Sequence, residues 1–168
     1  MRRRMSAPTV TRLVEADWRV FATLRLRALT DTLGTGDRQY LEELAFTAAQ
    51  WRRRLRAHAQ FALLAGDDLV GLIGAQRQSP DVVYLYSLWL EPGVRGRGLG
   101  RDLVLAAVDW ARGHRARVVT LRVDADNAAA RGVYEQLGFG VVEGNTRARQ
   151  ANAHETGANE ITMSLSVG

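Results

Sequence analysis

Apolar residues recur at helical intervals twice in the first third of the chain. Trp18, Phe21, Leu24, Ala28 and Leu29 predict a helix that Asp17 can cap and that ends near Asp31. Leu41, Leu44, Ala48, Trp51 and Leu55 predict a second helix whose wet face carries Arg52, Arg53, Arg54 and Arg56. A modest alternation over Thr9–Leu13 precedes both as a first strand. From Gln60 the pattern becomes extended: two apolar runs flank Gly66-Asp67-Asp68 and predict a hairpin. The β-branched and aromatic run Asp81–Leu90 predicts a strand buried on both faces, stopped by Glu91-Pro92. Leu99, Leu103, Ala106, Ala107 and Trp110 then give a helix reaching Gly113-His114. A strand over Val118–Val123, a helix over Ala128–Leu137 ended by Gly138, and strands over Phe139–Glu143 and Glu160–Val167 complete the order β-α-α-β-β-β-α-β-α-β-β. This is a single mixed α/β layer structure, read as one domain over residues 1–168.

Composition removes several chemistries. The chain has no cysteine, which excludes thiolate nucleophiles, disulfides and cysteine-ligated zinc. Its histidines, His58, His114 and His154, stand far apart and form no HExxH pair. All 23 basic residues are arginine, against 18 acidic ones, for a net charge of +5. The arginines are scattered, so a nucleic-acid partner is not expected, although arginines converging on one site would suit an anionic ligand. No apolar run is long enough to span a membrane, and Met1-Arg2-Arg3-Arg4-Met5 leads into Ser6-Ala7-Pro8 rather than an apolar leader; a cytoplasmic protein with no membrane partner is expected.

The informative segment is Gly93-Val94-Arg95-Gly96-Arg97-Gly98-Leu99-Gly100-Arg101, between a strand and a helix. Glycines there leave backbone N–H groups bare at a positive helix end, an arrangement that receives phosphate. The triphosphate loop GxxxxGK[ST] is impossible in a chain without lysine. The dinucleotide fingerprint fails because Arg101 stands where its third glycine belongs.

Arg95-x-x-Gly98-x-Gly100 resembles the Arg/Gln-x-x-Gly-x-Gly/Ala signature of the GCN5-related N-acetyltransferases (GNAT) family. Leu88-Trp89-Leu90-Glu91-Pro92 is similar to that family's fourth strand and its exit, and Asn127-x-x-Ala130-x-x-x-Tyr134-x-x-x-Gly138-Phe139 to its second landmark. The resemblance implies the acyl-CoA N-acyltransferase fold, a mixed central sheet with splayed parallel strands, and acetyl-CoA as co-substrate. It implies that Arg95, Gly96, Arg97, Gly98, Leu99, Gly100 and Arg101 hold the pyrophosphate. Leu88, Trp89 and Leu90 hold the pantetheine at a bulge, Asn127 reaches toward it, and Tyr134 is the general acid toward the departing thiolate. Asn127 also reads as a plain helix cap, and Tyr134 as a core aromatic.

The activity so implied is acetyl transfer to a primary amine by direct attack in a ternary complex; a catalytically idle acyl-CoA-binding or partner-binding module is the alternative. Asp81, Tyr84, Tyr86 and Glu91 are the candidate bases, none outstanding. The family's acceptor groove would here draw on Tyr40, Glu42, Glu43, Trp51 and the loop Asn145–Asn159, with Glu42 and Glu43 also readable as a solvated helix surface. Its occupant is a small-molecule or peptide amine, and the family allows a homodimer.

Overall fold

A computed structural model describes residues 7–142 and 159–168. The opening Met1–Ser6, Glu143, His154 and the expected acceptor loop up to residue 158 lie outside the described residues. The elements are β1 (Thr9–Leu13), α1 (Trp18–Leu33), α2 (Arg38–Leu44), α3 (Ala48–Ala57), β2 (Ala59–Ala65), β3 (Asp68–Arg77), β4 (Val82–Leu90), α4 (Leu99–Gly113), β5 (Val118–Asp124), α5 (Ala128–Gln136), β6 (Gly140–Val141) and β7 (Glu160–Ser166). The strands form a mixed seven-stranded sheet in the order β1-β2-β3-β4-β5-β7-β6. Two compact units divide the chain, and β4 runs through both: Met1–Gln76 with Ser87–Ala107, and Arg77–Tyr86 with Val108–Gly168.

In the first unit β2 and β3 form the expected hairpin, closing at Ala65↔Asp68, with Gly66 at φ +62°. A two-residue turn of this kind needs positive φ, which glycine supplies without a Cβ penalty. β1 pairs antiparallel with β2, with Val10 opposite Leu63. Phe21, Leu24 and Ala28 of α1, Trp51 and Leu55 of α3, and Leu13, Ala62, Leu72 and Trp89 of the strands make one buried cluster. The Phe21 and Trp51 rings meet edge to face at 5.6 Å. Each large side chain in it contributes about 1.5–3 kcal/mol by leaving water.

The second expected helix is two helices. Thr47 caps α3: its hydroxyl accepts the Gln50 N–H and the Gln50 side chain returns a bond to the Thr47 N–H. This capping box breaks the chain after Leu44 although the apolar period continues through it. Asp17, expected to cap α1, accepts from Val14 N at 2.8 Å and makes no side-chain cap bond. Glu43 is not on the surface. It is 3% exposed, its carboxylate taking two bonds from Arg25 at 3.0 and 3.2 Å and one from Gln39 at 3.0 Å. Burial pushes its pKa up, but Arg25, with Gln39 and Arg54 beside it, outweighs burial and holds the carboxyl below its ordinary value. Trp51 belongs to the core, so neither it nor Glu43 offers a polar group to an acceptor; Glu42 is exposed and paired with Arg38 at 2.9 Å.

In the second unit β4 runs parallel to β5, with Val82↔Val118, Val83↔Val119 and Tyr84↔Thr120 in register, and β5 runs antiparallel to β7 along its whole length. Among the described residues the parallel pairing ends at Tyr84, whereas β5 continues to Asp124; this is the expected splay. Val83, Leu85, Val119, Leu121, Val123, Ile161 and Met163 alternate into the core. β4 is not buried on both faces as expected. Val83, Leu85 and Trp89 are buried, Tyr84, Tyr86, Leu88 and Leu90 are half-buried, and Ser87 is exposed. Tyrosine supplies apolar area to a sheet while keeping its hydroxyl at a polar surface, so an aromatic run need not mean two dry faces.

Candidate active site

The site in the first unit is built where β4 ends. Ser87, within β4, sits at φ 55°, in the left-handed region that a non-glycine residue rarely adopts, immediately before Leu88-Trp89-Leu90. Pro92 cannot continue a strand and opens a 3-10 turn over Pro92–Val94, with Glu91 N–H donating to Val70 O at 2.8 Å. The chain then passes through Arg95 to Gly98 and enters α4 at Leu99.

Gly96 and Gly98 hold φ of +79° and +75°, and a Cβ built on either would meet no atom of the described residues within 4 Å. Glycine is needed there for backbone conformation, and the space above it is open. Among the described residues, the N–H groups of Gly96, Arg97 and Gly98 donate to no other group of the chain. They stand beside the unpaired N–H groups of the first turn of α4, which carries the positive end of the helix dipole. Arg97 and Arg101 are exposed at the same turn. A Cβ built on Gly100 would stand 3.7 and 3.9 Å from the Leu90 and Leu88 side chains, so the helix start lies beside the strand end.

Arg95 is engaged within the chain. Its Nη2 donates to Asp31 Oδ2 at 2.7 Å and its Nε to Leu90 O at 2.9 Å, while the Trp89 indole donates to the same Asp31 oxygen at 2.8 Å. The Trp89 bond, then Arg95, holds the Asp31 pKa below its ordinary value. Gly71 of β3 also shapes this corner, because a Cβ there would stand 2.8 Å from Leu90 Cδ2 and 3.0 Å from the Trp89 carbonyl oxygen.

The second unit carries the other landmark. Asn127 caps α5, its Oδ1 accepting Ala130 N at 3.1 Å, so the plain capping role is real. Tyr134, about two helical turns on, is half-buried with its ring 6.0 Å from Phe139, and burial raises its pKa. The phenol therefore keeps its proton through the neutral range. Of the candidate bases, Asp81 lies 3.7 Å from Arg117 and Glu91 3.8 Å from Arg27, both in exposed pairs. Tyr84 and Tyr86 stack at 6.2 Å, and burial raises the Tyr84 pKa.

The structure thus brings Leu88–Leu90 and Arg95–Arg101 together in one unit and places Asn127 and Tyr134 in the other. Ser87, Asp31 and Gly71 were not foreseen. Only Gly71 had a sequence signal, a glycine interrupting a strand. Among the described residues no cluster of His, Asp or Glu could hold a metal, and no helix is long and apolar enough to cross a membrane.

A mixed seven-stranded sheet whose parallel pair splays is the fold of the acyltransferase class. Residues 18–139 match the acetyltransferase (GNAT) family, and the chain belongs to it. It is 42% identical over 78 residues to the mycothiol acetyltransferase of Corynebacterium glutamicum (strain R), a match covering 46% of this chain and 27% of that protein. It is 38% identical over 78 residues to the N-alpha-acetyltransferase RimI of Mycobacterium tuberculosis (strain ATCC 25618 / H37Rv), covering 45% of this chain and 48% of the relative. The match therefore spans about a quarter of the one curated relative and half of the other. The fold is that of the PaiA N-acetyltransferase from Thermoplasma acidophilum, solved in complex with coenzyme A, with a TM-score of 0.69 at 16% identity over 96% of this chain and 99% of that one.

Proposed function

We propose that the chain is an acetyl-CoA-dependent N-acetyltransferase acting on a primary amine of a small molecule or a peptide. One observation carries this reading: the unclaimed N–H groups of Gly96, Arg97 and Gly98 under open space at the start of α4. They suit a diphosphate, with Arg97 and Arg101 adding charge. We read residues 1–168 as one such domain, supported by β4 running through both compact units.

Acetyl-CoA supplies an activated acyl group, and the residues of the chain handle position and protons. Transfer makes a bond from the amine nitrogen to the carbonyl carbon and breaks the carbon–sulfur bond; the nitrogen loses a proton and the sulfur gains one. Tyr134 is the donor to sulfur, because a half-buried phenol with a raised pKa is protonated when needed. Backbone N–H groups of Leu88–Leu90, just beyond the left-handed residue Ser87, hold the pantetheine and polarise the carbonyl. With no cysteine in the chain, the amine attacks directly rather than through an acyl-thiol. The names of the two curated relatives support an amine acceptor and leave both a small molecule and a protein terminus in view.

The test is thermal unfolding with increasing acetyl-CoA, followed by an amine panel monitored through release of free thiol. The reading requires a melting temperature that rises with cofactor concentration and thiol release that needs an amine. No shift at millimolar acetyl-CoA overturns it, and binding without turnover on any amine leaves only a cofactor-binding module.

A further inference from the structure

Asp31, near the end of α1, is 58 residues from Trp89 and 64 from Arg95, yet a single oxygen of its carboxylate accepts from both, at 2.8 and 2.7 Å. Arg95 passes the connection on, donating through Nε to Leu90 O at 2.9 Å. One turn earlier on the same helix, Arg27 donates to Leu69 O, stands 3.8 Å from Glu91 and lies over the Trp89 ring at 5.7 Å from its centroid. Four points of the segment 89–95, namely the Trp89 indole, the Leu90 carbonyl, the Glu91 carboxylate and the Arg95 guanidinium, are thereby tied to α1 directly or through Arg95. None of these ties uses an N–H of Gly96, Arg97 or Gly98.

We infer that Asp31 is a positioning residue for cofactor binding: it anchors both ends of the turn from β4 to the glycine loop, so that the loop's bare N–H groups are held ready for the diphosphate. Gly96 and Gly98 have no side chain to pack, and a Cβ there would meet nothing within 4 Å among the described residues, so the loop has no side-chain anchor at those positions. Its fixation comes from the residues on its strand side, and Asp31 is where they converge. The guanidinium of Arg95 acts through this bond to the chain and leaves the anion to the backbone. The inference rests on the reading of residues 95–101 as a diphosphate cradle.

The experiment compares the unsubstituted chain with Asp31→Ala, Asp31→Asn and Asp31→Glu. The affinity for acetyl-CoA is measured by calorimetry without amine, and kcat and KM by thiol release. Asp31→Ala is expected to raise both Kd and KM for acetyl-CoA about tenfold, the loss of roughly one charge-assisted hydrogen bond's worth of positioning, with kcat nearly unchanged. Asp31→Asn keeps an acceptor for the indole and falls between. Asp31→Glu, which retains the charge, recovers part of the affinity. A merely structural residue would instead lower the amount of active protein and leave Kd and KM alone. Asp31→Asn keeps the comparison readable if Asp31→Ala folds poorly. Unaltered Kd in Asp31→Ala and Asp31→Asn overturns the inference by itself. Failure of the unsubstituted chain to bind acetyl-CoA overturns the proposed function, and this inference with it.

Discussion

The Arg95 guanidinium meets the Asp31 carboxylate at 2.7 Å, joining the residue that opens the glycine signature to the last turn of α1. The side chains are 50% and 36% exposed, so this contact acts by fixing geometry; exposed ion pairs add little to stability. The signature's arginine thus holds the chain, which leaves the glycine backbone for the diphosphate contact proposed above.

Gly98→Ala should weaken acetyl-CoA binding without unfolding the protein. A Cβ at φ +75° costs about 1–2 kcal/mol of backbone strain, and nothing nearby would be struck, so the loop relieves the strain by leaving its left-handed conformation. Calorimetry should find a Kd raised by about tenfold or more. An unchanged Kd would remove that conformation from the binding argument.

Tyr134→Phe should lower kcat by about a hundredfold or more and leave the Kd for acetyl-CoA nearly unaltered. Its pH dependence carries a sign. Burial raises the phenol above its ordinary 10.0, so the proton-donating form persists to higher pH than for a free tyrosine. The alkaline fall in kcat that Tyr134 causes should therefore lie above pH 10 and vanish in Tyr134→Phe. A limb near neutrality that survives the substitution would assign the acid role elsewhere.

Glu43→Gln should destabilise the fold by about 3 kcal/mol, because it leaves the buried Arg25 charge without its partner. The Glu43 pKa is depressed below its ordinary 4.5, so its contribution is present above that value and is lost as pH falls through the lower, folded one. Denaturant titrations from neutral pH into acid should find the difference between parent and variant shrinking there. A constant difference would show that Glu43 is not the group titrating.

Gly71→Ala should cost about 1–3 kcal/mol and raise the KM for acetyl-CoA, since the new methyl group must displace Leu90 and the Trp89 carbonyl oxygen. A urea midpoint and a KM both equal to those of the parent would mean that the strand end yields without disturbing the loop.

Local chemistry made much of this fold readable. The Gly66-Asp67 turn, the stop at Glu91-Pro92 and the Gly138 terminus each need a backbone shape that few residues allow. The α2–α3 break was missed because the apolar period runs straight through it, while the capping pair Thr47 and Gln50 overrides that period. The glycine turn between β4 and α4 was legible from spacing. Its support was not, because Asp31 joins Trp89 and Arg95 only after the intervening chain has folded, and a lone aspartate late in a helix gives no warning of that. Serine likewise gives no hint of the left-handed turn taken at Ser87.

An indole N–H and a guanidinium sharing one carboxylate oxygen give the molecule an optical gauge of its own. Protonating Asp31 removes the charge beside the Trp89 indole, so near-ultraviolet dichroism followed in acid below the ordinary carboxylate value of 3.8, parent against Trp89→Phe, should report the attachment of the loop with neither label nor ligand required.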